Sequence, residues 1–139
     1  MSMNTVLERL AALRAAMAAN GVAVYLIPVG DPHASEYLPC HYTSLTWFSG
    51  FHGENSNFVV TRTESALWAD GRYFVQAEKE IASTEIKLQR MGEPGVPTVE
   101  EYCANALNEG EALGLCGLTA STALVNDLKK ALEKKGASI

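Results

Sequence analysis

Three short segments hold most of the side chains that could do chemistry. Asp31-Pro32-His33-Ala34-Ser35-Glu36-Tyr37 gathers carboxylates, an imidazole, a hydroxyl and a phenol into one stretch. Trp47-Phe48-Ser49-Gly50-Phe51-His52-Gly53-Glu54-Asn55 reads as an aromatic and glycine loop, in which glycine permits close backbone approach. Asp70-Gly71-Arg72-Tyr73 stands between a strand-like and a helix-like run, where loops carry function on a rigid base.

None of these is a catalytic centre by itself. The three histidines, His33, His41 and His52, lack the i, i+4 spacing of a zinc helix. Exposed or hydrogen-bonded histidines are the plainer account, and no metal ligands are assigned. Cys40 and His41 are chain neighbours whose side chains diverge, which argues against a nucleophilic dyad. Asp31, His33 and Ser35 suggest a triad, but the G-x-S-x-G elbow is absent. No phosphate-binding glycine motif occurs, and Pro94 and Pro97 interrupt the one glycine loop where amide donors would be needed. Glu100-Glu101 is explained by helix capping and the helix dipole.

Composition narrows the class. A chain of 139 residues with 47% hydrophobic content suits one domain with a continuous core, assigned here to residues 1–139. Sixteen acidic against eleven basic residues give a net charge of −5, and no basic stripe exists for a nucleic-acid backbone. No apolar run approaches the length of a membrane span, and the opening residues lack a signal-peptide layout. Cys40, Cys103 and Cys116 are odd in number and widely spaced, as expected of reduced thiols in the cytoplasm.

The elements that must position the three segments alternate in type. Thr5 and Glu8 form a capping box before a helix whose stripe is Val6, Leu10, Leu13 and Met17, stopped at Asn20-Gly21. Residues 22–27 predict a strand buried on both faces. Asp31-Pro32 predicts an N-cap and one or two helical turns over residues 33–38. Residues 57–61 and 65–69 predict a hairpin, 72–81 a helix and 85–91 a half-exposed strand. A second capping box at Thr98 opens a helix to about Asn108, and residues 112–116 predict another strand. Ser121 or Thr122 caps a final helix with the stripe Leu124, Leu128, Ala131 and Leu132, stopped by Gly136. Ala137-Ser138-Ile139 reads as the start of a strand, so an incomplete chain is expected. The pattern predicts an α/β fold, a mixed sheet with helices on both faces.

The order D-P-H-x-S-E-Y, then W-x-S-G-F-x-G, then A-L-W-x-D-G-R-Y-F-x-Q-A resembles the amino-terminal domain of aminopeptidase P, the three-domain Xaa-Pro aminopeptidase of the creatinase and prolidase family. The matching residues are Asp31, His33, Ser35, Glu36 and Tyr37; Ser49, Gly50, Phe51 and Gly53; and Leu67, Trp68, Asp70, Gly71, Arg72, Tyr73, Phe74, Gln76 and Ala77. The resemblance implies a creatinase-type, ribonuclease-H-like N-terminal domain. It also implies that catalysis belongs to a separate carboxy-terminal domain holding two divalent metal ions, commonly manganese, with no cofactor on this chain. The implied partners are that catalytic domain, a peptide with proline in second position, and a second copy in a homodimer.

By the same resemblance, Glu36 and Arg72 are the expected substrate contacts, with His33 and Tyr37 beside them. A carboxylate suits a free amino terminus, and a guanidinium suits a carbonyl or carboxylate. The alternative is that Arg72 pairs internally with Asp70 or Glu36 and merely fixes the turns. Two departures from the family are Tyr42-Thr43-Ser44-Leu45, where basic residues are common, and Glu54, where G-S-x-G is favoured. They leave peptide preference open. Other readings are a free-standing peptide- or protein-binding module, or the N-terminal domain of a creatinase- or prolidase-like hydrolase.

Overall fold

A computed structural model describes residues 5–139. Helix α1 (Val6–Ala19) opens on the reciprocal Thr5–Glu8 cap and closes at Asn20, before Gly21 turns left-handed at φ 68°. Leu10 and Met17 of its stripe are fully buried, with Val6 and Leu13 half-buried at the edges. Strand β1 (Val24–Pro28) follows at once.

Residues 31–38 are irregular rather than helical. The Asp31 carboxylate accepts the main-chain N–H groups of both His33 and Ser35 at 2.9 Å, and Ala34 sits in the left-handed region at φ 52°. That local turn replaces the helical pattern it was expected to start. A short 3₁₀ turn (Cys40–Tyr42) and helix α2 (Ser44–Ser49) come next, so Trp47, Phe48 and Ser49 are helical, not looped. Six residues carry too little periodicity to announce a helix. Burial of Leu45, the Ser49 hydroxyl on the Leu45 carbonyl at 2.6 Å, and a left-handed Gly50 at its end hold α2 in place.

The hairpin forms as expected, β2 (Asn57–Thr61) against β3 (Ser65–Ala69), its turn organised by Thr61 Oγ1 accepting from Thr63 and Glu64 N–H. The following helix starts with a 3₁₀ turn (Gly71–Tyr73) and becomes α3 at Phe74–Ile81. Strand β4 (Lys87–Arg90), helix α4 (Val99–Ala106) behind the Thr98–Glu101 capping box, strand β5 (Leu113–Leu115) and helix α5 (Thr122–Glu133) complete the chain. Ser121 rather than Thr122 caps α5, accepting from Leu124 N–H at 3.2 Å. Beyond it, Ser138 forms a single parallel bridge to Ala112 beside β5. Among the described residues no helix is long and apolar enough to cross a membrane.

The five strands lie in the order β4-β3-β2-β1-β5. β2 runs antiparallel to β1 and β3, whereas β1 pairs β5 and β3 pairs β4 in parallel. Period-two alternation divides the core. Val24, Leu26, Val59, Ala66 and Trp68 face α4 and α5, with Cys103, Leu128 and Leu132. Phe58, Val60, Leu67 and Ala69 face α1, α2 and α3, with Leu10, Phe51 and Ile81. Burial raises the Cys103 thiol to about 12, so it behaves as a small apolar residue.

Four of the five strands therefore share one direction, and their carboxyl ends lie along one edge of the sheet. Open α/β sheets bind ligands at that edge.

Candidate functional site

The first chemical segment leaves the end of β1, the second enters β2, and the third leaves β3. Because only β2 is reversed, all three meet at the same edge. There they line a cleft of about 450 Å³ that includes Glu36, Tyr37, His52, Glu54, Asn55 and Arg72. Three of the four residues expected to contact substrate are thus brought together. His33 is not part of the wall; it is exposed, and its N–H is spent on Asp31.

Asp31 is buried and builds the turn that carries Glu36 and Tyr37. The Ser35 N–H, then the Ser35 hydroxyl and the His33 N–H, hold its carboxyl below the usual range against the opposing effect of burial. Tyr37 stands 83% exposed on the rim. Glu36 is exposed and makes no hydrogen bond or ion pair among the described residues. That leaves its carboxylate available to a ligand.

Arg72 is differently placed. Its guanidinium meets Asp70 through Nε at 3.3 Å and Nη2 at 2.9 Å, while its own N–H reaches Asp70 Oδ1 at 2.9 Å. Asn55 donates to the other oxygen of Asp70 at 3.2 Å, tying the second segment to the third. The internal pair therefore forms with Asp70 and not with Glu36. The Arg72 side chain remains 66% exposed, stacks over Tyr73 at 5.3 Å and feels the charge of Glu54. Two of its five N–H donors are used, which leaves the others for a carbonyl.

The Arg72 side chain, above all, lowers the Asp70 carboxyl from 3.8 to about 2. A depressed folded-state value stabilises fully above the unfolded value and fades as pH falls through the folded one. In urea titrations, the stability gap between wild type and Asp70→Asn should be constant above about pH 4 and close as pH falls through about 2. A gap that persists unchanged to that pH would show that the pair contributes nothing through its charge.

Glu80 on α3 is the residue that motif reasoning missed. It accepts from His52 N at 2.8 Å, His52 Nδ1 at 3.2 Å and Gln76 Nε2 at 2.8 Å, anchoring the loop to the helix. Burial pushes its carboxyl up, but the donors from Gln76 and His52 outweigh burial and hold it below the usual range. His52 and Glu80 lie 28 positions apart, so no local pattern links them. Among the described residues no group of three or more His, Cys, Asp or Glu side chains is placed to hold a metal ion.

The creatinase/prolidase N-terminal domain family matches residues 9–138. The chain belongs to that family. Among relatives of this creatinase-type domain, aminopeptidase P2 of Arabidopsis thaliana is 40% identical over 130 residues, 92% of this chain and 18% of that protein. Xaa-Pro aminopeptidase app-1 of Caenorhabditis elegans is 38% identical over 119 residues, 79% of this chain and 19% of that protein. The crystal structure of X-prolyl aminopeptidase from C. elegans, a cytosolic enzyme with a di-nuclear active site, superposes with a TM-score of 0.87 at 34% identity, covering 98% of this chain and 24% of that one. An isolated creatinase/prolidase-like N-terminal domain from Corynebacterium diphtheriae shares the fold, with a TM-score of 0.68 at 20% identity over 96% of this chain and 92% of that one. The creatinase-type domain seen here thus spans about a fifth of the length of the curated relatives it matches.

Proposed function

We propose that this chain is the substrate-facing N-terminal domain of a metal-dependent Xaa-Pro aminopeptidase, without catalytic machinery of its own. Support comes from curated relatives that are themselves aminopeptidases P, similar along 79–92% of the chain. The observation that carries the reading is the cleft at the carboxyl edge, where Glu36 has no internal partner. In this reading Glu36 receives the ammonium of the peptide's free amino terminus through a charge-assisted hydrogen bond. Arg72, held rigid by Asp70, offers its remaining N–H donors to a carbonyl, and Tyr37 narrows the mouth of the cleft. His33 acts only through the turn it helps to close.

Two divalent metal ions, manganese in this proposal, would be held by a separate catalytic domain and would supply an activated water. The domain here orients the peptide and helps to assemble a cytoplasmic homodimer. In the full-length enzyme, Glu36→Gln should lower kcat/KM for Xaa-Pro peptides by about 10–100-fold, the loss of one charged hydrogen bond. Because Glu36 is exposed and unpaired, the melting temperature should stay unchanged. Full activity in that variant would overturn the assignment.

A further inference from the structure

Charge in the walls of the cleft does not balance. Its titratable lining residues are Glu36, Tyr37, His52, Glu54 and Arg72. No lysine joins Arg72 there, and the guanidinium is already matched by Asp70 at 2.9 Å. The His52 ring stands 3.2 Å from the Glu80 carboxylate, so a proton on it would be matched as well. Glu36 and Glu54 remain. Both are exposed, and neither makes a hydrogen bond or ion pair among the described residues. The cleft thus presents two uncompensated carboxylates, on a chain whose net charge is already −5.

Glu54 holds nothing together within the domain. The residues on either side of it do that work: Gly53 lies against the Phe51 ring, and Asn55 donates to Asp70 at 3.2 Å. The Glu54 side chain is left in the wall, within electrostatic reach of Arg72. A free amino terminus brings one positive charge, which Glu36 answers. A second free carboxylate in the same wall calls for a second cation, and a basic side chain on that first residue supplies it. Clefts walled by one sign of charge concentrate ligands of the other sign.

We propose that Glu54 makes the enzyme select peptides whose amino-terminal residue is lysine or arginine, its carboxylate meeting the side-chain cation while Glu36 holds the α-ammonium. This rests on the reading of the chain as a substrate-facing peptidase domain. Because the carboxylate is exposed, the preference is moderate and sensitive to salt.

The test compares Lys-Pro-Ala with norleucine-Pro-Ala in the full-length enzyme, norleucine being the lysine stem without its ammonium. At low ionic strength wild-type kcat/KM should be about three- to tenfold higher for the lysine peptide. The ratio should approach one in about 1 M salt, where charges are screened within about 3 Å. Glu54→Gln should bring the ratio near one without added salt, and its melting temperature should match wild type. Glu133, an exposed carboxylate on α5 outside the cleft, is the control, and Glu133→Gln should keep the wild-type ratio. No preference for lysine in wild type, or an undiminished ratio in Glu54→Gln, would overturn the proposal. Glu36→Gln separates the two levels. If it slows both peptides while Glu54→Gln leaves the ratio alone, only the selectivity falls; if it slows neither, the underlying reading falls as well.

Discussion

Gly53→Ala should destabilise the domain by about 1–3 kcal/mol, although it adds a single methyl group to a surface loop. A Cβ at that position would lie 2.1 Å from Cζ of Phe51, with two further ring carbons at 2.7 and 2.9 Å. The ring cannot step aside. Phe51 is fully buried, packs edge-on against Tyr73 at 6.0 Å and belongs to the core beneath α1 and α3. The melting temperature should fall by roughly 5–15 °C. Gly71→Ala, where the added carbon meets open space, should cost far less. Shrinking the ring in a Gly53→Ala/Phe51→Leu double variant should return part of the loss relative to Phe51→Leu alone. If no coupling appears between the two positions, the clash is not the cause.

Trp68→Ala should cost about 3–5 kcal/mol, a large share of the stability of a domain this size. The indole is 1% exposed, meets Tyr102 edge-on at 5.0 Å and donates from Nε1 to the Pro97 carbonyl at 3.0 Å. One side chain therefore joins β3, α4 and the loop before α4. Tyr102 in turn donates to Glu64 at 2.5 Å, and Lys87 holds the other oxygen of that carboxylate. Trp68→Phe keeps most of the buried area but leaves the Pro97 carbonyl unmet, so about 1–2 kcal/mol should be lost. Urea unfolding of the two variants separates packing from hydrogen bonding. Equal losses in both would mean that the hydrogen bond, not the ring, carries the effect.

Residues with a strong local signal are legible in the sequence alone. Both capping boxes, at Thr5 and Thr98, formed with their reciprocal bonds. The hairpin read from β-forming runs divides its side chains between the two faces, Ala66 and Trp68 against Leu67 and Ala69. The failures came where a local pattern competed with a local bond or with packing. Asp31-Pro32 looks like a helix start, yet the Asp31 carboxylate binds two nearby N–H groups in a tight turn instead. α2 is too short to show a period and depends on Leu45 being buried. The three motifs meet at one end of the sheet, and it is strand direction, which no motif states, that places Glu36 and Arg72 in one cleft. The sequence offers both Asp70 and Glu36 to Arg72, and the nearer one, two positions away, takes it; Glu80 as the anchor for His52, 28 positions on, is a matter of distance in space that linear spacing does not contain.

The bridge between Ala112 and Ser138 has a bearing on how copies of the domain behave in concentrated solution. Outer strands present unpaired amides and carbonyls, and a neighbouring molecule can add to them and seed aggregation. On one side of this sheet β5 is only three residues long, and Leu113 N–H is already given to the Ser138 carbonyl at 2.8 Å. On the other side β4 reads Lys87-Leu88-Gln89-Arg90, with Lys87 paired to Glu64 and Arg90 to Glu78. A foreign strand would have to displace the Ser138 segment at one border or bury paired charges at the other. The same sheet that opens one end to a ligand is therefore closed sideways to its own kind.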